Sequence, residues 1–422
     1  MKQKRFTCLL VSAIILAGFT MCQKQFKKNT SAIAADNTIS RAATNWVHPG
    51  VLNTTQTLDI VRNQISGNDT ARAAAFQKVI AYTESSVYPT SFHAIIPVVA
   101  SGDSEAEKQI KDNANLAYAF ALRFAATSEI IWANKAIGIL NGWAYAFQGY
   151  SYSGSPADQP SLEASWAAPT FVAAAEIIRY YKPNSISANW QEADIAQFKV
   201  FLNKLKDEIN KMSSRGNNWW VSAGYAKMAI GVFLESKTVY DDGKSRVLST
   251  MEGLDSYNGH DVIDPNGYVY ELHQRSDDEH FQYSLTGVTY AAEIDKIQGA
   301  NDIYTQKGDR ILKAYGYTWR AFNEVIPAPP GISGSDVCDL SSPVYPGVEI
   351  AYKQFGTNSM RSLRNLRQPI GNVSKLFLGF TSFTHYNLDG QSGAYYPAEI
   401  PLGSTISLKG NNNKYVSSNY GN

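Results

Sequence analysis

From Thr57 to about Phe322 apolar residues return every third or fourth position, the spacing of helices that bury one face. Thr70–Glu84 puts Phe76, Val79 and Ile80 on one side, and Ser104–Ala126 repeats Leu116, Tyr118, Ala119 and Leu122. Thr127-Ser128-Glu129 reads as an N-cap opening a helix over Ile130–Phe147, with Ile131, Ile137, Leu140 and Ala144 in phase. Gly149, Gly154 and Pro156 mark a loop, and an apolar-striped helix follows over Pro169–Tyr181. Asp194–Met212 is amphipathic, with Phe198, Phe201, Leu202 and Leu205 set against Lys199, Lys204, Lys206 and Asp207. Asn218–Leu234 is apolar nearly all round and predicts a buried helix, and Ser276–Gln298 and Tyr304–Phe322 form a further pair. Short connections within these pairs make neighbours antiparallel. Such pairs with almost no alternating strand pattern predict an all-α fold, an (α/α) toroid or barrel. A helical solenoid is the alternative, but no repeat of fixed period is present.

The pattern changes after Phe322. Pro327, Pro329, Pro330, Gly331 and Gly334 predict a long loop over 323–345, and Pro343–Phe355 predicts a closing helix. Arg361, Arg364 and Arg367 stand at i, i+3 and i+6 and read as a solvated basic face rather than substrate binding. From Gly371 the chain turns to Ser, Gly, Asn and Tyr. It ends in a predicted hairpin with strands at Thr405–Lys409 and Tyr415–Ser418. That stretch resembles the opening of a fascin-like β-trefoil repeat, I-x-L-K-G-x-x-G-K-Y-V-S-x-E, and is expected to be poorly ordered or the start of a truncated trefoil. The domain expectation is therefore a signal or lipoprotein peptide over 1–22, a polar tether over 23–45, a toroid over 46–370 and a tail over 371–422.

Composition narrows the partners. The 422 residues are 44% hydrophobic and 18% charged with a net charge of +1, enough for a large core and with no global pull toward nucleic acid or membrane. A polyanion would need a local basic patch. The 25 Tyr and 8 Trp suit the apolar faces of sugar rings, although most aromatics in any chain are core. Lys2, Lys4 and Arg5 precede an apolar run over Leu9 to Phe19 that is too short to span a bilayer, so export is expected. Cys22 just past that run is placed like a lipobox cysteine, although Phe19-Thr20-Met21 fit the motif poorly; simple cleavage near Ala32-Ile33-Ala34 is the alternative. The location expected is the periplasm or an outer-membrane anchor of a Gram-negative cell. Beyond Cys22 only Cys338 remains, so no intrachain disulfide framework exists.

The chemistry is densest in 264–285, DPNGYVYELHQRSDDEHFQYSL. It holds two of the six histidines, one arginine, three tyrosines and five acids at a loop-to-helix junction. His280 and Tyr283 at i, i+3 face one way, a pairing suited to proton abstraction and donation, with Arg275 and His273 nearby. The acids Asp277, Asp278 and Glu279 read equally well as a helix N-terminal turn. RGNNWW, Arg215 to Trp220, places Asn217 and Asn218 at the start of the apolar helix, as caps or as donors to a carboxylate. His93 stands alone on an apolar stretch, and lone histidines of that kind are more often core or surface groups. HExxH, CxxC, P-loop and GxSxG motifs are missing, so no metal or cofactor is expected.

Five blocks in this order and spacing resemble the alginate-lyase superfamily of polysaccharide lyases: AIGILNGWA (136–144), AAAEIIRYY (173–181), NNWWVSAGYAKMAIGVFLES (217–236), NGYVYELHQRSDDEHFQYSLTGVTYAAEI (266–294) and QGANDIY (298–304). The resemblance covers roughly 50–355 and implies an (α/α) toroid and β-elimination on a uronic-acid polymer. Its carboxylate-neutralising Asn maps onto Asn217 or Asn218, and its Arg onto Arg275. In the family a His follows the Asn and a Tyr follows a His past the Arg. Here Trp219 follows Asn218, and His280 falls about where the Tyr would be, with Tyr283 one turn later. That departure leaves the polymer open between alginate and a relative such as glucuronan, and leaves open which of His280 and Tyr283 is base. Trp219, His273, His93 and Arg215 are the expected substrate-binding residues, and an acidic polysaccharide is the expected partner. Two rival readings stand beside this one: a toroid glycoside hydrolase drawing its carboxylates from Glu163, Glu271, Asp277 and Asp278, and a non-catalytic glycan-binding lipoprotein.

Overall fold

The computed structural model describes residues 45–256, 258–275, 279–328, 340 and 344–388, together with two strands at 405–409 and 415–419. Helices α1 (Thr55–Ser66) and α2 (Thr70–Ser85) lead into five antiparallel pairs. These are α3 (Glu105–Thr127) with α4 (Ile130–Ala146), α5 (Gln159–Tyr180) with α6 (Glu192–Ile209), and α7 (Asn218–Leu234) with α8 (Lys237–Ser249). After the short α9 (Tyr270–Arg275) come α10 (His280–Ile297) with α11 (Asp302–Ala321), and α12 (Gly347–Phe355) with α13 (Asn358–Asn365). The short α14 (Thr381–His385) packs on α12, α2 and α1, and those two pack on α3. The first helix of each pair therefore touches the first helix of the next, and α14 with α1 and α2 closes the ring. This is an (α/α) toroid.

Sequence explains the two layers. The inner helices α3, α5, α7 and α10 are buried on nearly every face, including positions such as Ser165, Thr170, Ser222 and Thr289. The outer helices bury one stripe: α6 hides Ile195, Phe198, Phe201, Leu202 and Leu205 and gives its lysines to solvent or to neighbouring carbonyls. Because each outer helix returns antiparallel, the inner helices run the same way and open their N-termini on one mouth. A parallel pair of short strands, β1 (Ile95–Pro97) and β2 (Gly149–Ser151), lies beside α3 and α6. Strands β3 (Thr405–Lys409) and β4 (Tyr415–Asn419) form the expected antiparallel hairpin, Ser407 opposite Ser417.

Several elements differ from the sequence expectation. The helix expected from Pro169 begins ten residues earlier, at Gln159, with Pro169 in its interior. Proline costs one backbone bond there, and packing on both flanks by α3 and α7 keeps the helix intact. Ser128 is not an N-cap: at φ 63° it ends α3 in a left-handed turn, and Glu129 precedes α4 without a side-chain cap. Helix α8 was not predicted, since KTVYDDGKSRVLS has little apolar periodicity. It lies so close to α7 that a Cβ at Gly224 would come within 2.7 Å of the Gly243 carbonyl oxygen. The ring also runs past residue 370, through α14.

The arginine face does not form. Helix α13 ends at Asn365, Arg361 is exposed, and Arg364 is buried with its Nη2 2.9 Å from Glu349 Oε1. Glu349 also accepts from Ser382 Oγ at 2.8 Å, so this pair ties α12, α13 and α14. Arg364→Ala leaves a fully buried carboxylate without its counter-ion and is expected to cost about 3–5 kcal/mol. A lowered urea midpoint with an unchanged slope would report it.

Candidate active site

The mouth is built from the N-terminal turns of α5, α7 and α10. Asn217 caps α7: at φ −139° its Oδ1 accepts from the Trp219 amide at 3.1 Å. That leaves the Asn217 Nδ2 hydrogens for another acceptor. Asn218 is spent differently. Its Nδ2 donates to Glu271 Oε1 at 2.6 Å and its backbone amide to Glu271 Oε2 at 3.1 Å, while its own Oδ1 is buried without a hydrogen-bond partner. Ser284 Oγ donates to the same Glu271 carboxylate. One buried acid on α9 thus locks the start of α7 to α10 one residue beyond Tyr283.

Tyr283 is the centre of an aromatic wall. Its ring meets Trp166 of α5 edge-on at 6.2 Å, Tyr345 at 5.3 Å, Phe377 at 5.9 Å and the His280 imidazole at 5.2 Å. The hydroxyl donates to Glu279 Oε2 at 2.9 Å. Burial first, then Tyr345 and Glu279, hold the Tyr283 phenol far above its ordinary pKa, so it keeps its proton through neutral pH. Tyr345 is likewise pushed up by burial.

Beside α7, the Arg215 guanidinium lies 4.2 Å from the Trp219 ring centroid and pairs with Asp158, which precedes α5. Asp158 Oδ2 also accepts the Ser213 amide at 3.0 Å. Trp219 is half-buried, and the stacked pair makes a flat cationic step at the rim.

The structure thus gathers Arg215, Asn217, Asn218, Trp219, His280 and Tyr283 on two neighbouring inner-helix ends, those of α7 and α10. His273 lies elsewhere: it is fully buried and hydrogen-bonded through Nε2 to the Tyr317 hydroxyl of α11. His93 is exposed on the segment ahead of β1. Arg275 is the last residue of α9, and its side chain lies outside the described residues, as do Asp277 and Asp278.

Residues that the sequence did not single out complete the wall: Trp166, Tyr345, Phe377 and Lys111. Lys111 Nζ lies 2.6 Å from Asp103 Oδ1 and 2.7 Å from Glu163 Oε2. Asp103, Glu107 and Glu163 present oxygens within 4.8 Å of one another, a spacing that would suit a cation, and the Lys111 ammonium already bridges two of the three. Of the four carboxylates considered for a hydrolase, the two that are described, Glu163 and Glu271, are both buried and committed to internal partners. The sequence carries a signal for Trp166, a large aromatic at i+3 from Glu163 flanked by Ala164, Ser165, Ala167 and Ala168.

The two-layered helical ring, taken with the family that matches it, is that of a polysaccharide lyase. The family described as alginate lyase matches residues 77–325, and the chain belongs to that family. Alginate lyase A1-III from Sphingomonas species A1 superposes with a TM-score of 0.59 at 18% identity, covering 80% of this chain and 97% of that one. An alginate lyase from Bacteroides ovatus gives 0.58 at 11% identity, covering 82% and 100%. A His-to-Ala variant of alginate lyase A1-III complexed with tetrasaccharide gives 0.58 at 16% identity, covering 80% and 97%. At these identities the solved structures speak for the fold. No curated protein matches the chain.

Proposed function

We propose that the chain cleaves a uronate polymer, alginate or a related polyuronate such as glucuronan, by β-elimination, and that Tyr283 is the acid and His280 the base. The observation that carries the reading is the buried Tyr283 ring 5.2 Å from the His280 ring at the positive end of an inner helix.

In this reading the uronate carboxylate sits against Asn217 Nδ2 and Arg275. Neutralising its charge acidifies the C5 proton and stabilises the enolate-like intermediate. The imidazole takes the C5 proton. The electron pair forms the C4–C5 double bond as the C4–O bond breaks, and the Tyr283 O–H supplies the proton to the departing glycosidic oxygen. Trp219 and Arg215 form a stacking and charge step for a neighbouring sugar. The chemistry balances without a redox partner.

The test is incubation with alginate, polyglucuronate and other uronate polymers, followed by ultraviolet absorbance of the 4,5-unsaturated end. Reducing ends without that absorbance would overturn elimination. Asn217→Ala is expected to lower kcat/KM by about 10²–10³-fold. Asn218→Ala is expected to act chiefly through stability, because its amide donor already serves Glu271. Equal kinetic effects at constant stability would reverse that assignment.

Export and a lipid anchor at Cys22 belong to the same proposal, supported by the basic start and short apolar run ahead of Cys22. Among the described residues no helix is long and apolar enough to cross a membrane. Fractionation of cells carrying Cys22→Ser, with fatty-acid labelling, checks it: release from the membrane fraction is expected.

A further inference from the structure

Lys111 is fully buried, and a buried ammonium costs several kcal/mol unless its partners are good. An apolar residue would fill that space at lower cost, so the lysine calls for a reason. Its two carboxylates come from different elements, Asp103 ahead of α3 and Glu163 on α5. Glu107, the third acid nearby, is spent on backbone amides, Ser104 at 2.7 Å and Val99 at 3.3 Å. The same ammonium stands 5.4 Å from the Trp166 ring centroid. Trp166 lies one turn beyond Glu163 and meets Tyr283 edge-on. Its indole Nε1 is buried without a hydrogen-bond partner, so no hydrogen bond fixes the ring's rotation. Beyond its packing on the core, the ring meets the cation at 5.4 Å and the phenol edge-on at 6.2 Å.

We infer that Lys111 is a positioning residue for Tyr283: clamped between Asp103 and Glu163, its ammonium sets the plane of Trp166, and Trp166 sets the phenol. The inference rests on the elimination reading above for its kinetic part only. Glu163 is pushed up to about 7, mainly by burial and against the pull of Lys111, with Glu107 and Asp103 adding repulsion. Tyr150 of β2 is itself raised well above the ordinary phenol range, first by burial and then by Glu163, Glu208 on α6 and Glu107. The carboxyl is therefore neutral below neutrality and a full ion-pair partner above it. Folding stability contributed by this raised group is complete below the ordinary glutamate pKa and declines as pH rises toward 7. Ionisation at the same time tightens the Lys111 clamp.

The near-ultraviolet circular dichroism of wild type minus Trp166→Phe isolates the indole's band. In wild type that band is expected to change in a step centred near pH 7, and Glu163→Gln is expected to abolish the step. Lys111→Met/Glu163→Gln, which leaves no charge uncompensated at Glu163, is expected to alter the band at all pH values. Its kcat is expected to fall by about tenfold or more, with KM within about threefold. A folded double variant with the wild-type band and kcat overturns the inference. If the double variant does not fold, Glu163→Gln decides: a pH step that survives in the band overturns it. Wild type that makes no unsaturated product would sink the elimination reading and leave the band measurements standing.

Discussion

Tyr283→Phe is expected to lower kcat on a polyuronate by about 10²–10⁴-fold, with KM within about threefold. The substitution keeps the ring, and with it the contacts to Trp166, Tyr345, Phe377 and His280. It removes only the hydroxyl, whose hydrogen bonds run to Glu279, an exposed residue, and to the Tyr345 hydroxyl, which keeps Ser374 as a second partner. Stability should therefore stay close to wild type, and the loss is a loss of proton delivery. The sign follows from the chemistry: a phenol is protonated at neutral pH, and burial raises its pKa further, so it carries a proton to give to an alkoxide-like leaving oxygen, which is the stronger base. Initial rates of unsaturated product, taken with a thermal melt, measure both halves. A variant that keeps more than about a tenth of wild-type kcat would remove Tyr283 from the acid role.

The second large effect is expected at Glu271. Its carboxylate accepts from the Asn218 amide, the Asn218 side chain and Ser284, and it is fully buried. Glu271→Ala strands those donors where water does not reach and should cost about 3–5 kcal/mol, the scale of a broken buried charged network. Activity should fall with it, since the same carboxylate fixes the first turn of α7 against α10 and so places Asn217 relative to Tyr283. Urea unfolding and residual kcat of the folded fraction check the two consequences separately. A wild-type midpoint together with wild-type turnover would show that α7 and α10 are held by packing alone.

Much of the fold was legible because helices carry their own signal. The stripes of Phe198, Phe201, Leu202 and Leu205 and the apolar run from Val221 to Phe233 announce an outer and an inner helix before any contact is known. Helix α8 was illegible because its place rests on Gly224 and Gly243 meeting across two chains of backbone, and on Lys244 reaching Asp295 at 2.9 Å. None of that is a local pattern. The three arginines at helical spacing misled for the same reason. Spacing says which side chains share a face, and only the position of Glu349 decides that Arg364 turns inward.

The site divides in the same way. The pairing of His280 with Tyr283 is set by helical spacing and belongs to the sequence, which also puts Asn217 and Asn218 at the start of an apolar helix; that Asn217 is the cap is decided by the structure. Which asparagine has hydrogens to offer belongs to the tertiary structure, because Glu271 arrives from an element more than fifty residues away and occupies one of them. So do the raised pKa of Tyr283, which comes first from burial behind Trp166 and Tyr345, and the lysine beneath Trp166, which needs two acids from separate elements. Periodicity is a property of neighbours along the chain. Burial, charge compensation and the direction of a hydrogen bond depend on neighbours in space, and the closed ring supplies those.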